Sequence, residues 1–412
     1  MTNRLIRSPH SVLLSFSGVC ALLILFGTVT AQGATYYVAT TGSDSNPGTS
    51  DRPWRNPQRC TTSPIKAGDT CIVRSGTYTD TDGNGAVVWV YNRTTTPSGT
   101  ASGPITIKSE KPLGAVIAVS SRNGLNTGFY VDKPYYVIEG FNISGGSNSG
   151  SSATYHGIYL TSSADGAVVR ANSIHHIGRA VCSNSDNGFP GVFVKGTSSV
   201  LIERNRIYSI GRRRNGESGC STTRYQHDHG IYVTGASNVT VRRNVIYDSN
   251  RGYPIHVYRG TTSNLNIYHN TLSGKSPTGK PTGHILLAST IRTANIKNNI
   301  STDAKSGMVV ITGLTASGVS INYNMSNTIT NAKGGSYSGV QFSNNFDRIS
   351  TLGFVSNSTN DFRLVSGSPA INRGTTSGVP PVSDGAPDIS AYEYAVQNNI
   401  SSPLTPTGLR AL

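Results

Sequence analysis

Short runs in which apolar residues alternate with others recur through the middle of the chain. Gly157-Ile158-Tyr159-Leu160 is followed by Gly191-Val192-Phe193-Val194, Gly230-Ile231-Tyr232-Val233, Pro254-Ile255-His256-Val257, His284-Ile285-Leu286-Leu287 and Gly307-Met308-Val309-Val310. Several residues after each comes a second run that closes on asparagine. These end at Asn172, Asn205, Asn244, Asn270, Asn299 and Asn324, with an earlier copy ending at Asn142. A period of two marks a strand with one buried face. No unit is long enough to bury that face alone, but units stacked as successive coils bury one continuous apolar column. The asparagines then occupy corresponding tight turns. There the residue tolerates left-handed backbone, and its amide can bond to the copies above and below.

Composition agrees with an all-β chain of short strands and many turns: there are 46 glycines, and only 13% of residues are charged. Arg4 and Arg7 precede a mostly apolar run from Val12 to Val29, and Val29-Thr30-Ala31 offers small residues for cleavage. Residues 1–31 therefore read as an export signal. No later run is apolar enough to span a membrane, so a secreted or periplasmic location is expected, with no membrane partner after cleavage. Cys60, Cys71, Cys182 and Cys220 then remain, an even number that predicts two disulfides, Cys60 with Cys71 and Cys182 with Cys220. Their spacing suits neither a zinc knuckle nor a redox motif. The formal charge is +15 and stays strongly positive without Arg4 and Arg7, which calls for an anionic partner. The aromatic and basic motifs of RNA modules are missing, so an acidic polysaccharide is expected rather than nucleic acid.

The repeat resembles the right-handed parallel β-helix superfamily that includes pectate lyases, alginate lyases, chondroitinase B-type lyases and mannuronan epimerases. The likeness extends to the opening Tyr36-Tyr37-Val38-Ala39, to Gly42-Ser43-Asp44-Ser45-Asn46-Pro47-Gly48, and to Ala67-Gly68-Asp69-Thr70. It returns at Asp361-Phe362-Arg363-Leu364 and Asp388-Ile389-Ser390-Ala391-Tyr392-Glu393-Tyr394. It implies an all-β, single-stranded right-handed parallel β-helix with long loops flanking one groove. The expected divisions are an N-terminal cap with first coils over 32–112, the helix over 113–394 and a tail over 395–412.

With Ile231 and Val233 pointing into the column, Tyr232 and Thr234 point out. The same register puts Tyr159, Phe193, Tyr232, His256 and Leu286 on one outward line. Thr161, Lys195, Thr234, Tyr258 and Ala288 form its neighbour. Aromatic rings there can stack on sugars, and Lys195, Arg251 and Arg259 can meet carboxylates. Long insertions, His175 to Pro190 and Gly211 to His229, precede two of these strands, and a bridge between Cys182 and Cys220 would pin them together as a wall. Arg212-Arg213-Arg214 in the second loop is a further attraction for a polyanion.

The densest chemistry is Arg224-Tyr225-Gln226-His227-Asp228-His229, with Asn250-Arg251-Gly252-Tyr253-Pro254-Ile255-His256 one coil later. This set suits β-elimination at a uronic acid, which needs a cation against the carboxylate, a base, and an acid for the leaving oxygen. His229 is the expected base and Arg251 the neutraliser, with Tyr232, Tyr258 or His256 as acid. Asp228 would orient a neighbouring histidine. Tyr159, Phe193, Lys195, His227, Asp228 and Arg259 are expected to bind substrate. Calcium-dependent relatives cluster carboxylates. Here Asp228, Asp248 and Glu203 are scattered, so no cofactor or metal is expected, short of a weak calcium site. The expectation is a monomeric polysaccharide lyase acting on a polyuronate. A C5-epimerase and a non-catalytic glycan-binding β-helix are the rivals.

Overall fold

Three columns of parallel strands wind around a common interior, with one strand of each column in every complete coil. The computed structural model describes Met1 and residues 33–119, 125–146, 154–222, 227–249, 251–274, 283–304, 307–328, 337–382 and 385–394. The expected export signal, the tail, Arg224, Tyr225, Gln226 and Asn250 lie outside the described residues. The first column runs from Ala86–Val90 through Thr154–Leu160, Val192–Lys195, Ile231–Thr234 and Ile255–Val257. The second runs from Thr35–Val38 through Val168–Arg170, Leu201–Glu203 and Ser237–Arg242 to Val340–Ser343. Ile285–Lys297 and Val309–Asn322 pass through the corner between these columns as single long strands, with a register shift between Leu287 and Ser289. The third column runs from Gly76–Tyr78 to Met325–Ser326, and from Ser173–His175 onward each of its strands directly follows one of the asparagines. Sequence alternation predicts the first two columns only. Strands as short as Ser173–His175 and Arg206–Tyr208 carry one inward residue each, Ile174 and Ile207, too few to show a period.

The interior is made by like residues stacking on like. Ile158, Val192, Ile231, Ile255, Ile285 and Val309 are in register from coil to coil and fully buried. Burying each such side chain contributes about 1.5–3 kcal/mol. Among the described residues no helix is long and apolar enough to cross a membrane. The two expected disulfides, Cys60–Cys71 and Cys182–Cys220, are both formed.

The asparagines form a buried ladder. Each side-chain Oδ1 accepts from both the backbone N–H and the Nδ2 of the asparagine one coil earlier. The Nδ2–Oδ1 distances are 2.9–3.1 Å along Asn172, Asn205, Asn244, Asn270, Asn299, Asn324 and Asn345. The second Nδ2 proton goes to a carbonyl of the preceding coil, as from Asn244 to Ile202 O at 2.9 Å. The ladder begins at Asn172, whose Oδ1 takes the N–H of Phe141, so Asn142 is not a rung and Asn345 is. The asparagines do not carry the left-handed backbone themselves. The residue before each does: Ala171, Arg204, Arg243, His269, Asn298, Tyr323 and Asn344 have φ of 52–56°. That conformation costs about 1–2 kcal/mol at a residue with a Cβ, and the amide bonds of each rung offset it.

Replacing a middle rung should be expensive. Asn244→Ala strands the N–H of Asn205 in the interior and is expected to lower unfolding free energy by roughly 1–3 kcal/mol. Asn345→Ala, at the half-buried end of the ladder, should cost less. Urea unfolding of the two variants provides the comparison.

Candidate functional site

The outward line predicted from the sequence exists. Tyr159, Phe193, Tyr232, His256 and Leu286 are register partners on successive coils. Their rings stack on one another: Tyr159 on Phe193 at 4.9 Å, Phe193 on Tyr232 at 5.0 Å, and Tyr232 on His256 at 5.0 Å between centroids. Trp89 and Tyr130 extend the file toward the N-terminal end, a continuation the sequence repeat did not reveal. Because coils repeat at about 4.8 Å, each ring covers its neighbour's face. The file therefore offers a sugar its edges and hydroxyls rather than the stacking faces expected. Lys195 and Thr234 are register partners on the adjacent line. Tyr258 is exposed and stacks on His256 at 5.5 Å, with the Arg259 guanidinium 5.8 Å from its own ring. Thr161 is buried and bonds Asp132 instead of facing a ligand.

His229 and His256 lie in direct contact, His229 Nε2 to His256 Nδ1 at 2.6 Å. The backbone N–H of Tyr253 donates to His229 Nδ1 at 3.0 Å. That approach requires Gly252, where a Cβ would meet Asp228 O at 2.0 Å and His229 Nδ1 at 2.6 Å. Burial drives the pKa of His229 well down and that of His256 to about 3, with nearby imidazoles adding to the effect. Both rings are therefore neutral. With Nδ1 of His229 accepting, its proton sits on Nε2 and points at His256, which then carries its own proton on Nε2. That Nε2 is shut from solvent and has no partner among the described residues. His229 is buried with both nitrogens occupied, so it presents no free lone pair to act as the expected base. His227 is half-buried and close enough to depress both imidazoles. Tyr232 is half-exposed. Burial raises its hydroxyl pKa, Arg259 opposes the rise, and Tyr258 adds to it.

Three further expectations fail for one reason, the way the loops close. Asp228 orients no histidine. Its carboxylate is buried and held by Arg212 through Nε and Nη2, both at 3.0 Å, and by the N–H groups of Arg212 and Phe189. Arg212, equally buried, lies 4.5 Å from the Phe189 ring and donates to the carbonyls of Ser183, Ser185 and Asn187. It is not an exposed attractor of polyanions but a clamp between the two loops that Cys182–Cys220 also joins. Arg251 is turned toward these loops, its Nε on Arg212 O at 2.9 Å. It does not stand beside His229 as a carboxylate neutraliser on the outer face. Among the described residues no group of His, Cys, Asp and Glu is arranged to hold a metal ion.

The sequence matches the family described as Right handed beta helix region over residues 115–284 and again over 185–359. No curated protein matches the chain. Among solved structures the chain is similar to the pectate lyase Pel9A, at 17% identity, covering 89% of this chain and 97% of that one with a TM-score of 0.58. A rhamnogalacturonan lyase is 17% identical over 79% of this chain and 91% of its own, with a TM-score of 0.42. At these identities the likeness is one of fold.

Two measurements probe the site's electrostatics. Arg212→Met leaves the Asp228 carboxylate buried and unpaired, and is expected to cost roughly 3–5 kcal/mol in urea unfolding. Burial also depresses His156, His269 and His284, to about 3, 4 and 4. Below the ordinary histidine value of about 6.5 the unfolded chain binds protons that the folded one refuses, so stability rises with pH there. The urea midpoint should hold above that pH and fall steadily as the solution is acidified toward the folded-state values. His256→Phe should fall less steeply.

Proposed function

The chain belongs to the right-handed β-helix family, and we propose that it is a carbohydrate-active member that cleaves an acidic, uronate-containing polysaccharide by β-elimination. The observation that carries this reading is the buried, unpartnered Nε2 of His256, with Tyr232 beside it in the file and the exposed Tyr258 stacked on it from the adjacent line, on a face flanked by Lys195 and Arg259. Fold likeness to a pectate lyase supports it only as far as architecture goes.

In the proposed step His227 takes the proton alpha to the uronate carboxylate. The electron pair forms the new carbon–carbon double bond and the 4-linked oxygen leaves. Arg259 meets the charge that builds on the carboxylate, joined by His256 Nε2–H once the seated sugar uncovers it. Tyr258 or Tyr232 gives its phenolic proton to the departing oxygen. His229 fixes the tautomer of His256 through the Tyr253 N–H. Hydrolysis by paired carboxylates is a poorer fit, because Asp228, Glu203 and Glu217 are each ion-paired, to Arg212, Arg242 and Arg179.

The purified chain is offered a panel of acidic polysaccharides while ultraviolet absorbance and reducing ends are followed. An unsaturated product should appear, and His256→Ala should slow it about 100-fold or more while polysaccharide binding persists. Reducing ends without absorbance would mean hydrolysis, and changed uronate configuration with neither would mean C5-epimerisation. Either result, or unchanged turnover in His256→Ala, removes the proposal.

A further inference from the structure

Arg179 and Arg251 send their guanidinium groups to one carbonyl, Arg212 O, at 3.3 and 2.9 Å. Arg179 also pairs with Glu217 at 2.8 Å, and the N–H of Arg214 takes the other oxygen of the same carboxylate at 2.8 Å. Arg179, Arg214, Asn215 and Glu217 line an open cleft of about 390 Å³. Arg251 does not line the cleft but is buried next to it, bonded to the same carbonyl as Arg179, and its Nη2 is shut from solvent without a hydrogen-bond partner. Asp228 is saturated by Arg212, which leaves one carboxylate, Glu217, among the guanidinium groups of Arg179, Arg214 and Arg251. A buried donor without an acceptor is costly, and like charges drawn to a single carbonyl repel. One oxyanion would relieve both.

We propose that this cluster is an anion subsite on the loop wall, separate from the aromatic file, and that it receives the carboxylate of an acidic sugar unit. The identity of the anion rests on the acidic-polysaccharide reading above. The subsite is rigidly built. Cys182–Cys220 joins the two segments, Arg213 N bonds Val181 O at 2.8 Å, and Gly216 N bonds Cys220 O at 2.7 Å. The exposed side chains of Arg214 and Asn215 stand at the mouth, where they add donors once the anion is seated.

The test titrates the full mature chain by calorimetry with galacturonate, galactose and inorganic sulfate at fixed ionic strength. Galacturonate should bind and galactose should not. Arg251→Gln and Arg214→Gln should each weaken galacturonate about tenfold or more, with Arg251→Lys intermediate. Arg214 is exposed, so its variant keeps the test valid if Arg251→Gln folds poorly. Equal affinity in native and Arg214→Gln protein, or equal binding of galactose, overturns the subsite. Should Lys195→Ala weaken a long acidic polysaccharide while Arg214→Gln does not, the subsite falls and the polysaccharide reading stands. Should sulfate alone bind, lost in both arginine variants, the sugar assignment falls together with that reading.

Discussion

A carboxamide at one corner of each coil from Asn172 to Asn345, bonded to the carboxamide of the next coil, is the constraint on which this molecule depends. A β-helix has no long-range closure of the kind a globular core provides, so each turn must be held in register with the next. Apolar stacking supplies most of the free energy but is tolerant of slippage. The amide chain is not tolerant. Asn205 Oδ1 takes two protons from Asn172, while Asn205 Nδ2 reaches both Asn244 and the Val169 carbonyl. Moving one rung by a residue would leave several buried polar groups without partners. The left-handed residue ahead of each asparagine is what aims the amide inward.

Around the site the same logic is applied with charge. Asp228 and Arg212 neutralise one another away from solvent and tie the loops to the coil, much as the amides tie coil to coil. The consequence is chemical as well as mechanical. With Asp228 withdrawn, no carboxylate polarises the His229–His256 pair, and both imidazoles stay neutral in a dry setting. The pair thereby holds one N–H, that of His256 Nε2, in a fixed direction and without a partner among the described residues.

Strand alternation made the architecture legible from residues alone: Ile231 and Val233 inward, Tyr232 outward. The cysteine pairs were legible too. The third column was not, because one buried residue in Arg206–Tyr208 carries no period. Site geometry was harder for a different reason. His229 and Arg251 precede strands, and side-chain direction there is set by loops rather than by the alternation. Nothing local distinguishes Arg212 from Arg213 and Arg214, although the first is buried and the last exposed. Only the distant Phe189, Ser183 and Asp228 decide that.

The spacing of the ladder has an evolutionary consequence. Asn205 and Asn244 are 39 residues apart, Asn244 and Asn270 only 26, yet the bonds between them are alike. All of that difference lies between an asparagine and the next first-column strand, on the flank that carries the loops. Insertions and deletions can accumulate there without touching the register. Such a scaffold can acquire new recognition loops by simple lengthening, one coil at a time, while the thread that carries them is inherited unchanged.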